Sequence, residues 1–374
     1  MGGGTSKAET KKSSKLVSKR RAGTDDILIP IFGVANSGKS TVFNTLRISK
    51  AGGIPDNHRY AVRKQMHQVI LLSLADALQD VKCEDDFAGE IIDLANDKKA
   101  LKEALDDKEK TENIMALALK AWEMKEVQEI VHNADRWTNH FSMMHIFGLI
   151  EELRSFDYSP SNDDVLKVRM PTRKENELSY SPGGKDIVLN FRDYGGQRKL
   201  RPTWMKAAKE QRENKKRIPA VIFVLALDSF IHRSSAESAS KHGPDMDFQD
   251  RKEGAMDQNL MTEALSVLEL IATKIYYDSN VIIFLNKVDL LRGALAKKSI
   301  NCVFPSYEGK KSNGKVIQLL KQVCREKCGV KAKVRSEAEV EFVVTNATDL
   351  DIMEKTLTSI QNTITAKILS KLFL

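Results

Sequence analysis

The run Gly33-Val34-Ala35-Asn36-Ser37-Gly38-Lys39-Ser40-Thr41 follows an apolar stretch, Ile27-Leu28-Ile29-Pro30-Ile31-Phe32, and fits the phosphate-loop pattern G-x-x-x-x-G-K-[ST]. Few folds accommodate that spacing other than a buried strand turning sharply into a helix. The two glycines let the backbone turn tightly and aim successive N–H groups at a polyphosphate. Lys39 adds positive charge at the β and γ phosphates, and Ser40 offers a hydroxyl to Mg²⁺. A helix starting near Ser40 points its positive end at the same anion. The chain is expected to bind a nucleotide through Gly33, Ala35, Asn36, Ser37, Gly38, Lys39, Ser40 and Thr41.

Two later strands select the base. Val281–Leu285 reads as a buried strand ending in Asn286-Lys287-Val288-Asp289, an N-K-x-D sequence at the strand end where open α/β sheets bind ligands. The Asp289 carboxylate can accept from both N1–H and N2–H of guanine, whereas adenine presents no such pair. Asn286 supports the loop and the N7 side of the base, and the Lys287 stem can lie along the ring. A further strand, Val340–Val344, ends in Thr345-Asn346-Ala347-Thr348, whose backbone is placed to donate to the guanine O6. A P-loop ATPase or kinase would require the N-K-x-D to be accidental.

The third element, Ile187–Gln197, carries Asp193 to a strand end and follows it with Tyr194-Gly195-Gly196-Gln197. In a P-loop enzyme such an aspartate holds Mg²⁺ through water, and a glycine at the position of Gly196 lets its N–H meet the γ-phosphate. Gln197 then stands where it can orient an attacking water.

With these three motifs the sequence resembles the α subunits of heterotrimeric G proteins from about residue 27 to 372. The family's G-S-G-K-S-T appears as Asn36–Thr41, and its D-V-G-G-Q-R as Asp193-Tyr194-Gly195-Gly196-Gln197-Arg198, with Trp204 beyond it. Its D-V-L-R-x-R-V-x-T is similar to Asp164-Val165-Leu166-Lys167-Val168-Arg169-Met170-Pro171-Thr172. The resemblance implies that Arg169 is an arginine finger supplied in cis, that Leu166 and Arg169 line the nucleotide, and that Thr172 joins Ser40 and Asp193 (through water) around Mg²⁺. It implies catalytic roles for Arg169 and Gln197, GTP and GDP as ligands, and a βγ dimer, a membrane receptor and an effector as partners. Asn259–Glu263, Cys302–Gly309 and Thr345–Asp349 are further likenesses.

The organisation agrees. Lys39 and Asp193 lie 154 residues apart, far more than one strand crossover needs. Val69, Ile70, Leu71, Leu74 and Leu78 recur at helical spacing, as do Ile114, Leu117, Leu119, Trp122 and Val127. The expected fold is α/β: a Ras-like P-loop GTPase domain with a mostly parallel sheet over 27–55 and 160–374, and an inserted all-α domain over 56–159.

Charge is uneven. Residues 1–24 carry a net +6 and residues 198–217 a net +7, against +8 for the whole chain. The opening Met1-Gly2-Gly3-Gly4-Thr5-Ser6 fits the pattern for N-myristoylation of Gly2, and a polybasic segment supplies the second signal that a single acyl chain needs. The expected location is cytoplasmic, at the inner face of a membrane. No aromatic interleaving or nucleic-acid motif accompanies the basic runs, so nucleic acid is not an expected partner. The four cysteines form neither C-x-x-C nor a cluster with histidine and read as reduced thiols.

Four departures from the family pattern stand out. Ala35 replaces a glycine, placing a methyl group toward the γ-phosphate and the path of Gln197. Asn36 replaces a glutamate able to pair with the finger. The switch following Gly196 is longer and strongly basic, with Leu200 in place of a glutamate. The C-terminal Lys367–Leu374 lacks the family's cysteine. The leading expectation is a GTP-hydrolysing switch, slowed by Ala35; the alternative is a GTP-binding interaction module with very slow or no hydrolysis.

Overall fold

The computed structural model describes residues 25–133, 137, 140–170, 176–181, 187–196, 201–213, 218–232, 259–310 and 312–372. Gly2, Thr172, Gln197, Leu200 and the basic residues 215–217 lie outside them.

Six strands form one sheet in the order β2-β3-β1-β4-β5-β6: β1 (Asp25–Phe32), β2 (Asn176–Tyr180), β3 (Ile187–Asp193), β4 (Ala220–Ala226), β5 (Asn280–Asn286) and β6 (Val340–Val344). All neighbours run parallel except β2, which runs antiparallel to β3. Every residue of β4 is buried, as a strand covered on both faces requires. Side chains alternate between two cores. Phe32, Val221, Phe223 and Leu225 face one, closed by α9 (Arg201–Glu213), α10 (Leu260–Leu270) and α12 (Asn313–Lys327). Ile29, Ile31, Ile222 and Val224 face the other, against α1 (Lys39–Lys50) and α13 (Leu350–Leu372).

The register sets the site. Ile31 of β1 pairs with Asp193 of β3, and Ala226 of β4 with Asn286 of β5, so the motifs end on one edge of the sheet. The five strands expected from apolar runs are present. β2 was not anticipated, because as an edge strand it buries only Leu178 and carries no apolar run.

Between α1 and β2 the chain forms α2 (Asp56–Asp80), α3 (Asp86–Asn96), α4 (Lys98–Ala104), α5 (Lys108–Trp122), α6 (Lys125–His132), α7 (His140–Phe147) and α8 (Asn162–Lys167). α2 is the axis of this group. Its residues Val69 through Leu78 are all buried, so it has no solvated face in that stretch. Asp97 and Asp107 cap α4 and α5 through their side chains, accepting from backbone N–H groups that the first turn leaves unpaired. This core contains Val62, Met66, Ile70, Leu74, Ala118, Phe147 and Val168, and none of its buried residues belongs to the two sheet cores. Among the described residues, no helix is long and apolar enough to cross a membrane.

Candidate nucleotide site

The loop between β1 and α1 holds conformations that its glycines permit. Gly33 has φ +151°, and a Cβ there would lie 2.5 Å from the Val224 carbonyl oxygen. Gly38 has φ +91°, and a Cβ there would overlap the Asn286 side-chain amide. Asn36 is also left-handed, at φ 62°. α1 begins on Gly38, so no side chain caps its N-terminus and no acidic residue occupies its first turn. Those N–H groups remain available to an anion.

Lys39 is buried at the centre of the loop. Its ammonium donates to the Val34 carbonyl at 2.8 Å and approaches Ser37 Oγ at 3.5 Å. Burial, with smaller contributions from the Arg201 and Arg169 charges and against the pull of Asp193, brings its pKa down to about 8. A lysine so depressed gains from any anion that enters the loop.

Asp193, at the end of β3, is fully buried. Ser40 Oγ donates to its Oδ2 at 3.1 Å, while among the described residues Oδ1 has no hydrogen-bond partner. Burial pushes the carboxyl above its ordinary range; Lys39, Ser40 and Asn176 pull the other way. A buried carboxylate with one orphaned oxygen beside a serine hydroxyl is a suitable hard-oxygen set for a hydrated Mg²⁺. Gly196 follows directly, and a Cβ on it would lie 2.5 Å from the Gly33 carbonyl oxygen and 2.7 Å from the Val34 carbonyl carbon. Only glycine fits where this strand exit crosses the loop.

Asn286 is the structural link between the phosphate and base loops. Its Nδ2 donates to the Ser37 carbonyl at 3.0 Å, and its Oδ1 accepts from the Ala347 N–H at 3.0 Å and the Thr345 hydroxyl at 3.2 Å. Of the Thr345–Thr348 backbone expected to meet the guanine O6, the Ala347 N–H is thus engaged by Asn286, while the Ala347 carbonyl accepts from Thr45 Oγ1 of α1 at 3.0 Å. Asn346 turns inward on its own loop, accepting from the Thr348 hydroxyl at 2.8 Å. Lys287 adopts φ 61° and rests its ammonium 3.4 Å from Asp228, a buried carboxylate that the sequence reading passed over. Asp289 sits exposed in the first turn of α11 (Val288–Lys297), with its pKa raised by partial burial and by the Asp228 charge.

Leu166 is buried in α8, whose exit carries Arg169. The Arg169 N–H donates to Ser142 Oγ of α7 at 3.0 Å, and its charge is among those that depress Lys39. The Arg169 charge is therefore felt at the phosphate loop.

The core under α9 holds Trp204, which the family resemblance includes, and other side chains that no motif announced. Trp204, Ala207, Ala208 and Gln211 form its buried stripe, at i, i+3, i+4 and i+7. Gln211 Nε2 donates to the Tyr194 hydroxyl at 2.7 Å, and Gln211 Oε1 accepts from the Tyr276 hydroxyl at 3.0 Å. Phe32 stacks on Tyr194 at 5.0 Å between ring centroids and contacts Trp204 at 5.2 Å. At the start of α9, Arg201 pairs with buried Glu263 and donates to the Gly196 carbonyl at 3.4 Å. The helical spacing of 204, 207, 208 and 211 was the available signal, hidden by the basic residues between them.

Comparison with known proteins agrees with this geometry. Residues 5–364 match the family described as G-protein alpha subunit. The guanine nucleotide-binding protein alpha-2 subunit of Neurospora crassa is 25% identical over 98% of this chain and 97% of its own. The alpha-2 subunit of Mycosarcoma maydis is 25% identical, covering 91% and 87%. The G(o) subunit alpha of Lymnaea stagnalis is 24% identical, covering 76% and 74%.

Proposed function

The chain belongs to the G-protein α-subunit family, and from that premise we propose that it is a guanine-nucleotide switch that binds GTP and GDP with Mg²⁺ and hydrolyses GTP to GDP and phosphate. The observation that carries this reading is the convergence at the edge of β1 and β3. There a depressed lysine, an uncapped helix N-terminus, a half-satisfied aspartate and a glycine that admits no side chain share one pocket.

Lys39 and the first turn of α1 hold the phosphates, and Asp289 reads the base. Ser40, Thr172 and Asp193 (through water) would hold Mg²⁺, which supplies charge neutralisation at the phosphates. Gly196 presents its N–H to the γ-phosphate, Gln197 orients the attacking water, and Arg169 stabilises charge that spreads in the transition state. The γ-phosphate orders the segments around Thr172 and Gly196, and its loss releases them.

The Ala35 methyl group stands near the path of Gln197 and favours slow hydrolysis, with Ala35→Gly faster than the parent. The domain limits are those given above: 27–55 and 160–374 around 56–159. Acylation of Gly2 with the basic N-terminal segment would hold the protein at the inner face of a membrane, where family resemblance supplies βγ, a receptor and an effector. Single-turnover hydrolysis of GTP with Mg²⁺, run beside ATP competition, tests the reading. Turnover of bound GTP, insensitive to excess ATP, is expected; nucleotide bound but never cleaved would leave an interaction module instead.

A further inference from the structure

The arginine finger has to be delivered by a very short element. α8 spans six residues, Asn162–Lys167, and a single helix of that length has no intrinsic stability in water. Its placement, and with it the placement of Arg169, depends on what grips its two ends.

Both ends are gripped from α7. Ser142 and His145 lie one turn apart on that helix. Ser142 Oγ accepts from the Arg169 N–H at 3.0 Å, just past the exit of α8. His145 Nε2 lies 2.8 Å from Asp164 Oδ1, in the first turn of α8. Asp164 also accepts at Oδ2 from the Tyr158 hydroxyl at 2.8 Å and the Ser161 N–H at 2.6 Å, closing a capping box with Ser161. These hydrogen bonds hold the carboxyl below its ordinary range although burial opposes them. An ionised carboxylate only accepts, so Nε2 of His145 carries the proton it donates. On the far side, Arg59 of α2 donates to the Pro160 carbonyl and, at 2.6 Å, to Asn162 Oδ1.

We propose that His145 is a positioning residue for Arg169, acting through Asp164 to fix the helix that delivers the finger. This rests on the GTPase reading above. Without the His145 donor, Asp164 Oδ1 loses the tie to α7, and α8 keeps only its local bonds, the Arg59 donors and the packing of Val165 and Leu166. A shift of about 1 Å at a catalytic group slows a reaction about 10²-fold, so the chemical step is the sensitive readout.

The test is single-turnover GTP hydrolysis by the full chain, with affinity for a non-hydrolysable GTP analogue and melting temperature measured alongside. His145→Phe should slow hydrolysis roughly 10- to 100-fold while analogue affinity stays within about threefold. His145→Gln, which keeps an N–H donor, should recover most of the rate. In an Arg169→Ala background, His145→Phe should slow hydrolysis no further, because its effect passes through the finger. A merely structural role would lower the melting temperature without this non-additivity. If His145→Phe fails to fold, Tyr158→Phe, which removes one hydroxyl from the same carboxylate, takes its place in the same cycle. Undiminished hydrolysis in the single variant, or equal slowing with and without Arg169, overturns the inference. A parent that cleaves no GTP overturns the GTPase reading instead, so the two failures are distinguishable.

Discussion

The phosphate cradle and the underside of α9 are both buried and both polar, yet they treat their polar groups in opposite ways. In the cradle the groups are left wanting. Lys39 is pushed down to about 8, Asp193 Oδ1 has no partner among the described residues, and the first turn of α1 is uncapped. Under α9 the Gln211 amide and the Tyr194 and Tyr276 hydroxyls close on one another; the Trp204 indole N–H alone in that stripe finds no acceptor. Burying polar groups without partners costs free energy, so a set that persists marks a place where a ligand completes the bonding. A completed set marks a place where the protein fixes itself. The cradle should therefore answer to substitution through binding and chemistry, and the α9 underside through stability.

Arg169→Ala is the largest expected effect. It should lower single-turnover hydrolysis by about 10³-fold with GTP affinity nearly unchanged, since the finger acts on charge present mainly in the transition state. Rates equal to the parent would remove Arg169 from the reaction. Gln197→Leu should act in kind, and the pair should be less than additive.

Asp289→Asn comes next, at about 2 kcal/mol of guanine-nucleotide affinity or roughly 30-fold in Kd, because two base donors lose a charged acceptor. Its melting temperature without nucleotide should stay near the parent's, since residue 289 lies at the surface and asparagine keeps an oxygen for the backbone N–H groups at the start of α11. Calorimetry with GDP that shows no loss would place the base elsewhere.

The opposite pattern is expected under α9. Gln211→Leu removes one hydrogen-bond partner from each of two buried tyrosine hydroxyls and should cost about 1–3 kcal/mol of folding stability, read by denaturant titration, with GDP affinity near that of the parent. Adding Tyr194→Phe and Tyr276→Phe removes the hydroxyls that lost this partner and should recover part of the loss. A single variant as stable as the parent would mean that the network contributes nothing.

That contrast also explains what the sequence disclosed. Gly33, Gly38, Lys39, Ser40, Asp193 and Gly196 were legible because phosphate chemistry fixes both their type and their spacing along a few residues of chain. The apolar runs of β1, β4 and β5 were legible because burial on both faces leaves little choice of residue, and those of β3 and β6 because apolar residues still predominate where only some positions are buried. β2 escaped because it buries one side chain in five and adds only edge hydrogen bonds. The tie of Asn286 to Ser37 crosses 249 residues, and that of Tyr276 to Gln211 crosses 65, and neither distance is encoded in a local pattern. Tyr194 in place of the family's valine was visible, but its hydroxyl had no visible purpose until Gln211 stood beside it.

The smallest expected effect sharpens the cradle side, through the proton on Lys39. Its ordinary pKa is 10.5, and burial leads the causes that bring it to about 8 in the folded chain. Between those values the unfolded chain binds the proton more tightly, so the stability of the nucleotide-free protein should rise with pH from about 8 toward 10.5. Binding carries the opposite sign. A polyphosphate beside the amine favours the ammonium and raises its pKa, so GDP entering above pH 8 must bring a proton with it. Affinity should then fall with rising pH through the range where the free cradle is neutral, by about tenfold at pH 9 relative to pH 7. Titration calorimetry at pH 9 in two buffers of different ionisation enthalpy would read the proton directly, and uptake approaching one per GDP is expected. No uptake would mean that the ammonium is already held in the empty cradle by Val34 and Asp193. The lysine would then be as self-satisfied as the groups under α9, and the contrast between the two regions would rest on Asp193 and the uncapped first turn of α1.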